Sequence, residues 1–169
     1  GCQYLNLTYP EQLAKKQEYL KKTCGNLVKF DPIIGMEQNG DFPAIRYRNK
    51  AQFPVRRDRD GNIAIGFYAG RTHSVIDTDV CYLQDKINDE IIKRFRKFLV
   101  DYKVEPYNEE NNTGLVRHIL TRVGRKTGEV MICVIINGKE LAGVVPGSVS
   151  GNKSKYMNVE QELVKCMEN

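Results

Sequence analysis

Residues 46–69 read RYRNKAQFPVRRDRDGNIAIGFYA, and this stretch decides how the chain folds. Taken with Ile45, its first half alternates with period two. Ile45, Tyr47, Ala51, Phe53 and Val55 fall on one side, interrupted by Asn49; Arg46, Arg48, Lys50, Gln52 and Arg56 fall on the other, interrupted by Pro54. Such alternation marks a half-buried strand, here spanning about residues 44–56. Asp60-Gly61 supplies the hairpin turn. The return segment 62–69 places Ile63, Ile65, Phe67 and Ala69 on one face. An ordinary solvent face mixes its charges, but every charge on the outward side of this strand is positive.

That asymmetry accounts for the charge of the whole chain. Across 169 residues, 26 Lys and Arg stand against 21 Asp and Glu, a net charge of +5. The segment 45–59 holds Arg46, Arg48, Lys50, Arg56, Arg57 and Arg59 against Asp58 alone, so it carries the entire excess. A basic stripe on one element is the electrostatic footprint of a polyanion partner.

Working outward, LTYPEQLAKKQEYLKKTCG (7–25) predicts a helix. Thr8 and Glu11 have capping-box spacing, Pro10 lies in the first turn, and Gly25 suits the left-handed position after the last turn. Its lysines read as a solvated face. A second helix is predicted over Gln84–Tyr102, where Ile87, Ile91, Phe95, Phe98, Leu99 and Tyr102 keep a 3.6-residue period. Residues 115–138 read as a second hairpin whose return strand, VMICVII, is apolar enough to be central, with Cys133 in the core. A Gly/Ser-rich stretch over 143–154 looks mobile, and VEQELVKCMEN (159–169) has a helical pattern. The expected fold class is α+β: antiparallel β-hairpins forming a sheet covered by helices on one face. That arrangement leaves the basic face of the first strand open.

Chemistry-bearing motifs are sparse. No Walker loop, no GxGxxG after a strand and no Ser/His/Asp order is present. Gly66 and Gly70 read as strand-end and turn glycines, and His118, alternating with apolar residues, as a partly buried histidine. Five cysteines at wide spacings, without CxxC, exclude both a secreted disulfide framework and a zinc finger. No apolar run approaches the ~18 residues that span a bilayer, so a cytoplasmic protein without membrane contact is expected. The abrupt opening on Gly1-Cys2 suggests a piece of something longer. The residues best suited to RNA are cations beside aromatics and amides. Arg48, Lys50 and Gln52 would project at the ~6.6 Å two-residue repeat of a strand, close to the spacing of successive phosphates. Arg46 shares their face, and Tyr68 and Arg71 offer a stacking surface and a further cation.

The segments YRNKAQFPV, DGNIAIGFYAGRTHSVIDTDVC and GLVRHILTRVGRKTGEVMICVIINGKEL resemble the middle of the bacterial 23S ribosomal RNA (uracil-5-)-methyltransferases, as do GCQYLNLTYPEQLAKKQEYL and PIIGME. The resemblance covers roughly residues 1–141. Members have an N-terminal β-barrel RNA-binding domain, a central domain and a Rossmann-type catalytic domain that uses S-adenosylmethionine. The resemblance therefore implies a central RNA-binding part without catalytic residues of its own, inactive alone, with ribosomal RNA rather than DNA as partner and a monomeric state. It implies three segments: a cluster-motif remnant and lead-in helix over 1–30, the central α+β domain over 31–141, and a flexible stretch with a terminal helix over 142–169. Many members hold a [4Fe-4S] cluster, and the resemblance assigns Cys2 and Cys81 as two of its four ligands. Residues 142–158 depart from the family pattern. A stand-alone RNA-binding module and an iron–sulfur redox protein are the alternative readings.

Overall fold

The computed structural model describes residues 3–36, 44–149 and 154–168. They fall into two compact units, residues 1–45 and 46–169.

The first unit is built on helix α1 (Tyr9–Cys24). Its capping box forms as the spacing predicts, the Thr8 amide donating to Glu11 Oε2 at 2.8 Å. The Thr8 hydroxyl donates to the same oxygen at 2.7 Å, and this bond, with the amide's, holds the Glu11 carboxyl below its usual range. Gly25 does not take the left-handed conformation expected of it: at φ −60° it stays right-handed, and its N–H donates to the Lys21 carbonyl. Gln17 ties the following segment to the helix, its Oε1 accepting from the Ile33 amide at 2.6 Å.

The second unit is α+β. A five-stranded antiparallel sheet comprises β1 (Lys50–Arg57), β2 (Ile63–Tyr68), β3 (Val75–Asp77), β4 (Val116–Val123) and β5 (Val130–Ile136), in the order β3-β2-β1-β4-β5. Helix α2 (Ile87–Asp101) covers one face. β6 (Ala142–Val149) and β7 (Ser154–Asn158) pair separately, and α3 (Glu160–Glu168) follows. The stretch 143–154, expected to be mobile, thus lies largely in this ladder. Val144 is buried, and its N–H donates to the Tyr102 carbonyl at 2.6 Å.

Alternation in β1 delivers Ala51, Phe53 and Val55 to the core, where they meet Ile91, Ile92, Phe95, Phe98 and Leu99 of α2. Val159 joins the same core, with Leu163, Cys166 and Met167 of α3 packed against it. Fully burying each large apolar side chain contributes roughly 1.5–3 kcal/mol. A buried polar contact crosses this layer: Thr121 Oγ1 of β4 donates to Asn88 Oδ1 of α2. α2 ends where Lys103 turns left-handed (φ 49°) and the Val104 amide reaches back to the Leu99 carbonyl.

The β1–β2 turn forms as Asp60-Gly61 predicts. Gly61 has φ 83°, and Asp58 Oδ1 accepts from the Asp60 and Asn62 amides at 2.9 and 2.8 Å. Gly66 is needed for space, not for turning. A Cβ there would lie 1.9 Å from the Ile76 carbonyl oxygen of β3, so β2 and β3 could not approach.

Two further sequence expectations need correcting. β5 is an edge strand, not a central one. Ile132, Val134 and Ile136 pack on the core, while Cys133 and Met131 point outward and are exposed. An unbroken apolar run looks alike whether both faces or only one is covered. The second correction is where β1 begins. It starts at Lys50, because Arg46 sits at φ 56° and breaks the extended run that the alternation suggests.

Candidate nucleic-acid interface

Cross-strand partners share a sheet face. The register Lys50↔Arg122, Gln52↔Leu120 and Pro54↔His118 therefore aligns β1 and β4 on the face opposite α2. Met131, Cys133 and Ile135 extend that face through Arg122↔Met131, Leu120↔Cys133 and His118↔Ile135. Lys50, Gln52 and Arg122 are exposed on it. On β1 the open basic face is confined to Lys50 and Gln52, since Pro54 is buried and Arg56 largely so, and Arg122, which sequence reading did not single out, stands directly beside Lys50. Only the strand register reveals it.

The six cations of segment 45–59 divide into two groups. Arg46 forms a 2.9 Å ion pair with Asp89, Arg57 a 2.8 Å pair with Glu105, and Arg56 a 3.4 Å contact with Glu109. Arg48, Lys50 and Arg59 enter none of the ion pairs among the described residues, nor does Arg122. Unpaired, exposed cations keep their full charge for a polyanion. A cation already matched to a carboxylate would have to exchange partners first.

Arg46 therefore stands apart from the other five residues expected to contact RNA. Its amide donates to the Tyr82 carbonyl, its guanidinium reaches the Gln84 carbonyl at 3.3 Å, and it lies 5.5 Å from the Tyr82 ring centroid. The hydrogen bond to Asp89 raises its pKa further. These contacts fasten the lead-in of β1 to the start of α2. Arg48 precedes the strand, exposed, with its amide on the Leu83 carbonyl at 3.0 Å. Arg125, in the β4–β5 turn, donates to the Arg46 carbonyl, which brings that basic turn beside the start of β1.

Tyr68 belongs to a second cluster. Tyr68 is 42% exposed, its ring 6.1 Å from that of His73. Its hydroxyl accepts from Arg56 Nη2 at 3.4 Å. His73 Nδ1 meets Glu109 Oε1 at 2.6 Å, and this hydrogen bond, with the nearby charges of His73 and Arg56, lowers the Glu109 pKa. Arg71 is exposed in the connecting turn at φ 63°. Arg117 lies 4.6 Å from the Tyr107 ring centroid at the neighbouring loop. Sequence reading missed Arg56, His73 and Glu109 as a group, since 53 residues separate Arg56 from Glu109.

Of the two expected cluster ligands, Cys2 lies outside the described residues. Cys81 is partly buried just before α2, its amide 3.4 Å from Asp89 Oδ1. Among the described residues no three His, Cys, Asp or Glu side chains gather as a metal-holding group. A [4Fe-4S] cluster takes four ligands, of which Cys81 is the one expected residue within the described range.

The α+β frame thus presents Lys50, Gln52 and Arg122 together on one exposed sheet face. The comparisons with known proteins supply the chain's relatives. The chain is 36% identical over 141 residues to an uncharacterized RNA methyltransferase of Halalkalibacterium halodurans, covering 83% of this chain and 31% of that protein. It is also 36% identical to RNA methyltransferases of Staphylococcus epidermidis (82% of this chain, 30% of the relative) and Clostridium tetani (83% and 30%). The chain is homologous to these RNA methyltransferases, and it spans about a third of the length of the curated relatives it matches. No family model matches it. Its fold is similar to the crystal structure of Pyrococcus abyssi tRNA (uracil-54, C5)-methyltransferase in complex with S-adenosyl-L-homocysteine, with a TM-score of 0.64 at 23% identity, covering 94% of this chain and 40% of that one.

Proposed function

We propose that this chain is the RNA-gripping, substrate-positioning part of an S-adenosylmethionine-dependent RNA (uracil-5-)-methyltransferase acting on 23S ribosomal RNA. The observation that carries this reading is the unpaired, exposed state of Arg48, Lys50 and Arg122 in a chain homologous to RNA methyltransferases. These cations engage phosphates, and Gln52 on the same face reaches sugar or base edges. Tyr68 and Arg71 contact a base or phosphate further along the strand. Together they fix the register of the RNA while a target base leaves its stack for reaction. The partner is RNA rather than DNA, and the protein acts as a cytoplasmic monomer. No helix among the described residues is long and apolar enough to cross a membrane.

S-adenosylmethionine, when bound, supplies the methyl group. The described residues do not fit it. α2 is entered from β3 through residues 78–86, which contain no glycine, whereas such cofactors are received by a strand, a glycine-rich turn and a helix. On this reading the cofactor is held by other parts of the methyltransferase, and this chain alone transfers no methyl group. A [4Fe-4S] cluster would enter only through Cys2 and Cys81, and no step is assigned to it.

The test is the double variant Arg48→Glu/Lys50→Glu in the longer methyltransferase. Affinity for ribosomal RNA should fall while affinity for S-adenosylmethionine stays unchanged, and methyl transfer should fall through KM for RNA. Unchanged RNA affinity would overturn the proposal.

A further inference from the structure

We infer that the cleft beside the β1–β2 turn is a second RNA subsite that takes one unpaired base, separate from the phosphate-binding cations of the open sheet face. The inference rests on the RNA-binding reading above and extends its Tyr68 contact into a cleft that reading does not use.

The cleft has a volume of about 1050 Å³. It is walled by the β1–β2 turn, by His73–Val75 and by the loop 105–114. Small-molecule sites fall between about 300 and 1,000 Å³, so a nucleotide fits with room for its neighbours' backbone.

Arg56 is placed in the wall but under-used. Its side chain is only 11% exposed. Nη1 donates to the Val55 carbonyl at 3.0 Å, and Nη2 makes two contacts, to Tyr68 Oη and Glu109 Oε2, both at 3.4 Å. Charge-assisted bonds are normally about 2.7–2.9 Å. Its Nε–H is buried with no acceptor at all. A buried donor without a partner is costly, and native structures rarely leave one unexplained. A ligand oxygen arriving between Tyr68 and Glu109 would draw the guanidinium into bonds of ordinary length.

Beside this donor stands an acceptor. Glu109 uses Oε1 for His73 and Oε2 for Arg56, and a carboxylate has about four lone-pair sites, so acceptor capacity remains. A donor and an acceptor side by side match the pairing edge of any nucleobase, which always sets an acceptor next to an N–H. That edge is free only when the base is unpaired. His73, 81% exposed and lining the cleft, supplies an aromatic ledge next to it, with the Tyr68 ring alongside tilted by 48°. Stacking on such a ledge tolerates any base. The cleft thus distinguishes single-stranded from paired RNA, not one sequence from another.

The experiment uses the 169-residue chain and two probes: a fluorescent twelve-nucleotide single-stranded RNA of mixed sequence, and the same strand in a perfect duplex. Phosphate binding alone favours the duplex, whose charge density is higher. The single strand should nevertheless bind about tenfold tighter, within the range for one stacked base. Glu109→Gln and His73→Ala, both at exposed positions, should each bring the ratio towards one, with circular dichroism unchanged. Lys50→Glu should weaken both probes and leave the ratio intact. Equal binding of the two probes, or a ratio unmoved in both cleft variants, would overturn the subsite while sparing the sheet face. Binding of neither probe would overturn the RNA reading itself.

Discussion

The division of cations into paired and unpaired sets makes a quantitative prediction about salt. Each phosphate neutralised contributes about 0.7 to the slope of log affinity against log salt for single strands, and about 0.9 for duplexes. Arg48→Ala/Lys50→Ala removes two cations that no carboxylate among the described residues engages. The slope should therefore flatten by about 1.4–1.8. Between about 50 and 200 mM salt the gap between wild type and variant then narrows roughly seven- to twelvefold. Arg57→Ala, by contrast, removes a guanidinium already held by Glu105 at 2.8 Å. The pair is exposed, so its loss should cost little stability and leave the slope within error of wild type. Fluorescence anisotropy of a labelled ribosomal RNA hairpin at five salt concentrations measures all three proteins. If Arg57→Ala flattens the slope by half as much as the double variant or more, ion pairing does not decide which cations meet the phosphates, and the division fails.

Other outcomes follow from the same structure. Burial, with Arg56 and Arg117 nearby, holds the His118 pKa below its ordinary 6.5. The unfolded chain therefore takes up this proton first, so stability should be complete above pH 6.5 and decline as pH falls below it. Urea melts from pH 7 to 5.5 should show that decline, and His118→Gln should lose the part due to this residue. An unaltered pH profile in the variant would rule the histidine out. Thr121→Val keeps the shape of a buried side chain but leaves Asn88 Oδ1 without its donor, which should cost about 1–3 kcal/mol in chemical denaturation; a neutral result would mean water or another donor replaces it. Cys133, exposed on β5, should react with a thiol reagent faster than the partly buried Cys81, and Cys133→Ser should change stability by no more than about half a kcal/mol.

Local chemistry made much of this fold legible. The period-two pattern of β1, the Asp60-Gly61 turn, the Thr8–Glu11 capping box and the 3.6-residue stripe of α2 each state their structure within a few residues. What stayed hidden depends on contacts distant in sequence. Arg46 looks like one more member of the stripe until Asp89 and the Tyr82 carbonyl pull it to the start of α2. β3 is three residues long and too short for a pattern to show. The β5 run VMICVII has no polar position to reveal that one side is open. The β6–β7 ladder lies in a glycine-rich stretch that composition reads as linker. For the candidate site, Lys50 and Gln52 could be placed from alternation alone. Arg122 needed the β1–β4 register, and the Arg56–Glu109–His73 group needed the loop 105–114 to close on β1.

The measurement that tests the account most directly is the salt dependence of RNA binding by the wild-type 169-residue chain. With Arg48, Lys50 and Arg122 as its phosphate contacts, the chain should bind a ribosomal RNA hairpin with a log–log slope of about −2 to −3. Failure to bind at low salt, or binding that salt does not weaken, would contradict the claim that this face grips RNA.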